Sequence, residues 1–181
     1  MDVETSMYNI RGLMILDNDG NRIVAKYFGD AFSSPKEERA FEKTLFHKTA
    51  KANAEIIIHE GYICVYRSNV DLYFYVIGGP DENELVLVDV LNCLYDTVSH
   101  LLRKQVDKRM LVEIMDTVLL AVDEIVDDGV VLETDSLAVC DRVMLRANDD
   151  YYGAFSEQSM GQMGYQMFKS AKQQFQWSLL R

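Results

Sequence analysis

The chain is 181 residues long, with 49% hydrophobic and 26% charged residues, enough apolar material for one globular core with appendages and too much for a disordered chain. Its 29 acidic against 18 basic residues give a formal net charge of -11, which repels nucleic-acid phosphates and anionic lipid and argues against nucleic acid as a partner. The three cysteines, Cys64, Cys93 and Cys140, lie far apart in apolar segments, as expected of buried thiols in a reducing compartment, so neither a disulfide framework nor a zinc site is expected.

The amino terminus, MDVETSMYNIRG, has acids and a strand-like run where a secretion signal needs basic residues and then an apolar stretch. Residues 8–17 and 21–28 are rich in β-branched, aromatic and aliphatic side chains, and Asp17-Asn18-Asp19-Gly20 between them accepts positive φ, predicting a β-hairpin. Ser34-Pro35-Lys36-Glu37 combines an N-cap, a proline at the first helical position and a glutamate placed for a capping box, predicting a helix to about Lys51 with Phe41 and Leu45 on its apolar stripe. Runs at 55–60, 62–67 and 71–77, separated by Glu60-Gly61 and Ser68-Asn69, form an antiparallel meander. In the last run Leu72 to Ile77 lacks polar alternation, the mark of a central strand covered on both faces.

Asp81 with Glu84 gives a second capping signal, and Leu87, Leu91, Leu94, Val98 and Leu101 recur at helical spacing, predicting a helix over about 82–103. After Lys104 to Lys108 a third helix is predicted, apolar from Leu111 to Val126, with Glu113, Asp116, Asp123 and Glu124 on a solvated polar face. Its most apolar segment, Val118 to Val122, is closed by Asp116 and Asp123, far short of the ~20 residues that span a bilayer; membrane association is therefore expected to be peripheral, through a partner.

Asp127-Asp128-Gly129 ends that helix, Val130 to Leu132 is a short extended run, and a fourth helix starts near Asp135-Ser136. The composition divides the chain into a domain over 1–146, a flexible linker over 147–164 and an amphipathic helix over 165–181. The predicted fold is α+β: a five-stranded antiparallel sheet with one helix on one face and two on the other, plus the C-terminal helical extension.

No convergent reactive constellation stands out, so neither an enzyme nor a bound cofactor is expected. In Asp17-Asn18-Asp19-Gly20 the glycine comes too early for a calcium loop and Phe28 occupies the place of the bidentate glutamate. Gly78-Gly79-Pro80 lacks the Lys-Ser/Thr of a phosphate loop. His47, His59 and His100 lack ligand or nucleophile partners at useful spacing and read as surface or helix-packing residues. The candidate partner contacts are a basic cluster, Arg103, Lys104, Lys108 and Arg109, and the tail stripe Phe168, Phe175, Trp177, Leu179 and Leu180, too short to hold a helix alone and so expected to dock.

Several segments carry a family resemblance: Ile15 to Gly20 with Ala25-Lys26-Tyr27, Ala40 to Lys43, Asp71 to Gly78, Glu82 to Leu85, Val90 to Leu94, Leu102-Arg103-Lys104, Leu120 to Asp127 and the terminal Trp177 to Arg181. With the element order they make the chain resemble the zeta-type small chains of coatomer, a longin-fold family of vesicle-coat subunits related to the sigma subunits of clathrin adaptors. The likeness lapses between Asn148 and Gly164. It implies a longin-type fold, a heterodimer with the large gamma-type coatomer subunit inside a heptamer, and recruitment of that complex by an Arf-family GTPase. It also implies a cytoplasmic protein, peripheral on Golgi membranes, in Golgi-to-ER retrograde and intra-Golgi transport. The alternative within the superfamily is a sigma-like chain that binds dileucine cargo signals.

Overall fold

The computed structural model describes residues 10–29, 31–50 and 55–155. Two compact units divide the chain, 1–143 and 144–181; the sheet and its covering helices belong to the first.

β1 (Ile10–Asp17) and β2 (Arg22–Tyr27) form the hairpin. Its turn closes on Asp17, whose Oδ1 accepts the N–H groups of Asp19 and Asn21 at 3.0 and 2.7 Å, while Gly20 takes φ +77°, the left-handed conformation that glycine adopts at no steric cost. α1 (Pro35–Thr49) follows, capped by Ser34, and β3 (Ile56–His59), β4 (Tyr62–Ser68) and β5 (Leu72–Gly78) form the meander. The five strands pair antiparallel in the order β2-β1-β5-β4-β3.

β5 is therefore central, and its side chains alternate between two cores. Leu72, Phe74 and Val76 join Leu13, Ile15 and Val65 beneath α2 (Glu84–Leu101), which contributes Leu87, Leu91, Leu94 and Val98. Tyr75 and Ile77 join Met14, Leu16, Cys64 and Tyr66 beneath Phe41, Leu45 and Phe46 of α1. Burying each such large apolar side chain stabilises the fold by about 1.5–3 kcal/mol.

α2 starts later than the Asp81 capping signal predicts. Asp81 and Glu82 lie in a turn in which the Glu82 N–H donates to the Gly79 carbonyl at 3.3 Å, and the cap is Asn83, whose Oδ1 accepts the Leu85 N–H at 2.9 Å. The predicted continuous third helix is two: α3 (Lys108–Glu113) and α4 (Met115–Ile125), parted at Ile114, where φ is -114° and ψ 28°. The apolar period runs unbroken across the kink, and neither glycine nor proline marks it.

The chain then makes a small ribbon, β6 (Val126–Asp127) with β7 (Val130–Val131), whose Gly129 carbonyl accepts the Ile10 N–H at 2.8 Å. α5 (Ser136–Phe155) begins where predicted and adds Val139 and Val143 to the α2 side, a contribution beyond the two helices expected there. It runs on past Ala147, where the linker was expected to start: 147–155 contain one glycine and no proline, so nothing in the backbone chemistry stops the helix. The rest of the predicted linker and the tail helix lie outside the described residues.

Gly78 sets the distance of α2 from the sheet: a Cβ there would lie 2.7 and 2.8 Å from the two Cδ atoms of Leu87. Gly78→Ala is expected to destabilise the protein by about 1–3 kcal/mol through overpacking, lowering the urea midpoint, and Leu87→Val in the same background should recover part of the loss. An unchanged midpoint for Gly78→Ala would mean that helix and strand are not in tight contact.

Candidate interaction surfaces

The basic cluster is only partly available to a partner. Arg103 and Lys104 end α2 with φ of 51° and 69°, a conformation that L-residues adopt at a cost of about 1–2 kcal/mol each. Both side chains are exposed. The reversal they make lets Val106 bury and brings α3 back over the hairpin turn, where Lys108 Nζ sits 2.8 Å from Asp17 Oδ2. Lys108 is thus held inside the fold, although its side chain is half exposed. Arg109 lies 3.4 Å from Glu113 on exposed helix surface, a pairing worth at most a few tenths of a kcal/mol. Lys108 and Arg109 line an open cavity of about 670 Å³ with Asp71, Asp107, Val112 and Glu113. The tail candidates Phe168, Phe175, Trp177, Leu179 and Leu180 lie outside the described residues.

Burial would push the Asp17 carboxyl up, but the Lys108 ammonium together with the donors of Asn21 and Asp19 outweighs it and holds the group at about 2. The stretch that resembles part of a calcium loop is thus a turn whose carboxylate is already consumed. On the other side of the sheet Glu42 is buried and binds Arg22 at 2.6 Å and the Tyr27 hydroxyl at 2.7 Å, while Glu38 takes the same guanidinium at 2.9 Å. Burial first, then the Glu42 carboxylate, drives the Tyr27 phenol far up.

His47 and His100 are exposed, in the last turns of α1 and α2. His59 is buried, clasping β3 to α1: Lys48 Nζ donates to its Nδ1 at 2.9 Å, and its Nε2–H donates to Thr44 Oγ1 at 2.8 Å. A donating ammonium on Nδ1 assigns the neutral tautomer with its proton on Nε2. Burial and Lys48 both lower its pKa, with Glu60 opposing. One correction falls on the acidic face of α4: Glu124, read as solvated, is 8% exposed and turned toward Arg142 of α5 at 3.7 Å, whereas Glu113, Asp116 and Asp123 stay on the surface.

The thiols are quenched rather than activated. Burial pushes Cys64 up to about 12 and Cys93 to about 11; Cys140, only half-buried, is raised too, with its Sγ 3.8 Å from the Thr97 carbonyl. Among the described residues no cluster of three His, Cys, Asp or Glu side chains is placed to hold a metal ion, and no helix is long and apolar enough to cross a membrane.

The surface residues that sequence reasoning missed are apolar. Ile56 and Ile58 on β3 are 42% and 76% exposed, and Val112 and Leu119 on the α3–α4 side stand about half exposed. The signal at β3 was present: Ile56-Ile57-Ile58 is a run without alternation, which in a strand puts apolar side chains on both faces whether or not both are covered.

Two of these polar networks make predictions. Asp17→Ala removes a carboxylate with several donors and is expected to cost about 2–3 kcal/mol at neutral pH. Because the folded value lies below the ordinary 3.8, this contribution is present above pH 3.8 and fades as pH falls toward 2, so wild type and variant converge in acid denaturation. His59 has the same sign: with its folded pKa below 6.5, the unfolded chain takes up the proton more readily, and stability is lost as pH falls below 6.5. The urea midpoint of the wild type is therefore expected to drop between pH of about 7.5 and about 5.5, and His59→Gln should flatten that drop; an equal drop in the variant would remove His59 as its cause.

The model of the clathrin adaptor complex small chain family matches residues 9–150. Coatomer subunit zeta-1 of Homo sapiens is 51% identical over 179 residues, covering 99% of this chain and 97% of that protein. Coatomer subunit zeta-2 of Homo sapiens is 47% identical over 178 residues, covering 98% and 81%, and coatomer subunit zeta-1 of Arabidopsis thaliana is 40% identical over 157 residues, covering 84% and 88%. Among structures, a chain of a homology model of the full-length AP-3 complex in a stretched open conformation superposes with a TM-score of 0.63 at 16% identity, covering 82% of this chain and 98% of that one, a likeness of fold alone. The sheet of five antiparallel strands, the helices on its two faces and near-full-length identity agree: the chain belongs to the clathrin adaptor complex small chain family, among its coatomer zeta members.

Proposed function

We propose that this chain is a structural subunit of the coatomer vesicle coat, pairing permanently with the large gamma-type subunit as a heterodimer within the heptamer. The complex is recruited by an Arf-family GTPase, and the chain reaches Golgi membranes only peripherally, through the assembled coat, in Golgi-to-ER retrograde and intra-Golgi transport. The observation that carries this reading is the near-full-length identity to coatomer zeta subunits. The physical chemistry supports a role in assembly rather than catalysis: the perturbed groups among the described residues are engaged in packing, hydrogen bonds and ion pairs, and the surface carries exposed apolar side chains. Arg103 and Lys104, exposed in the turn after α2, are offered as contacts to an acidic patch of the large subunit, and Phe168, Phe175, Trp177, Leu179 and Leu180 as apolar contacts.

Recovered from cells by an affinity tag under native conditions, the chain is expected to bring a large coat subunit with it in equal amount, as a permanent interface burying 2,000 Å² or more on the usual scale requires. Elution of the chain alone would overturn the proposal. The double variant Arg103→Glu, Lys104→Glu should slow association with the large subunit by about tenfold at low salt and less at high salt; a salt-independent rate equal to wild type would remove those two residues from the interface.

A further inference from the structure

The apolar face beneath α2 continues one strand beyond the helix. Gly78, Ile63 and Ile58 are cross-strand partners in one row, and Val76, Val65 and Ile56 in the next. Directly opposed residues share a face, so each row is one surface. Along the first, Gly78 is buried, Ile63 is 6% exposed and Ile58 76%; along the second, Val76 and Val65 are fully covered and Ile56 is 42% exposed. Cover therefore ends at β4, and β3 carries the same face into solvent.

The backbone of β3 is open on the same residues. The Tyr66 N–H donates to the Glu55 carbonyl at 2.9 Å, which makes Glu55 and Tyr66 a hydrogen-bonded pair. Bonded and non-bonded pairs alternate along an antiparallel ladder, so Ile57 and His59 bond to β4 while the N–H and C=O groups of Ile56 and Ile58 point away from it. Two donors, two acceptors and two branched side chains thus stand together on the outer edge. The opposite edge is guarded in the usual ways: β2 is bulged opposite Ile15 and Leu16, Lys26 is clamped to Asp123 at 2.6 Å, and Arg22 is held by Glu38 and Glu42. β3 has no comparable guard among the described residues.

We propose that the β3 edge is a β-augmentation site for an extended segment of a partner protein, with branched aliphatic residues at alternate positions and Lys or Arg at its ends. The outward backbone groups select an extended chain, which adds as a sixth strand. The two isoleucines select aliphatic residues two apart. Exposed Glu55 and Glu60 bracket the strand in a molecule of net charge -11, while Arg67, the cation on that face of β4, is stacked on the Tyr95 ring at 3.7 Å; basic flanks follow. A second copy of this chain fits poorly, because edge-to-edge pairing would bring like acidic flanks together.

The test titrates the full chain with the peptide Lys-Val-Thr-Val-Thr-Val-Lys and with the same core flanked by Glu, following calorimetric binding and hydrogen exchange of the Ile56 and Ile58 amides. The basic peptide should bind and slow both amides at least tenfold, and the acidic one should bind at least tenfold more weakly, with the gap narrowing as salt rises. Ile56→Pro removes an N–H that β4 does not use and should weaken binding at least tenfold in a folded protein. Should that variant fail to fold, Ile58→Lys, which alters only an exposed side chain, should repel the basic peptide to the same degree. Unslowed amides, equal affinity for the two peptides, undiminished binding by the folded variant, or a concentration-dependent dimer in sedimentation that Ile58→Lys dissolves would each overturn the proposal.

Discussion

A strand that is apolar on both faces cannot stand at a surface, and β5 imposes that constraint on everything around it. Leu72, Phe74 and Val76 demand one cover and Tyr75 and Ile77 another, so the domain has to be three layers thick. Pairing β5 with the first strand, β1, then places the hairpin on one side of it and β4 and β3 on the other. α1 and α2 are the two covers, and Gly78 lets the second approach closely enough for Leu87 to lie against the backbone. α3, α4 and the start of α5 widen the cover on the α2 side toward β1 and β2, as the Lys26–Asp123 pair shows.

The same arrangement makes the two edges of the sheet unlike. Helices wrap the β2 side, and there the charges of Arg22 and Lys26 are tied to α1 and α4. On the β3 side the helical cover of the α2 face stops one strand short, and attachment comes from the other face, through His59 to Thr44 and Lys48 of α1. An edge held from one side and, among the described residues, bare on the other keeps hydrogen-bonding capacity within the sheet.

Much of this architecture was legible in the residues because hydrophobic period and turn chemistry agreed. The run Leu72 to Ile77 announced the central strand, Ser34-Pro35 the start of α1, and Asp17 to Gly20 the hairpin. The failures are local. Asp81 and Asn83 are both good caps, and only the turn closed by Gly79 and Glu82 decides for Asn83. The kink at Ile114 leaves the apolar period intact, so periodicity does not register it. Glu124 sits at a polar helical position, but its burial depends on Arg142 in another helix, and a long-range pair has no signature in local spacing. The candidate site was less legible: of four clustered cations, Lys108 belongs to the hairpin turn 91 residues before it, and the exposure of Ile58 depends on where a helix ends in space.

The electrostatics of the described residues favour packing over chemistry. A catalytic group needs a pKa near the working pH and a free lone pair or proton aimed at open space. Here the shifts run the opposite way. The thiols rise out of the nucleophilic range under burial, Asp17 falls to about 2 beneath Lys108, and His59 is kept neutral with both ring nitrogens engaged. Asp17, His59 and Tyr27 each join two elements of the fold: hairpin to α3, β3 to α1, and β2 to α1 through Glu42. Such pairs make a rigid body, and rigidity lowers the ordering cost of binding, so that buried apolar area converts more fully into affinity. A sheet with one edge left uncovered by the described residues, and with scattered exposed aliphatics, is suited to being held by a larger protein.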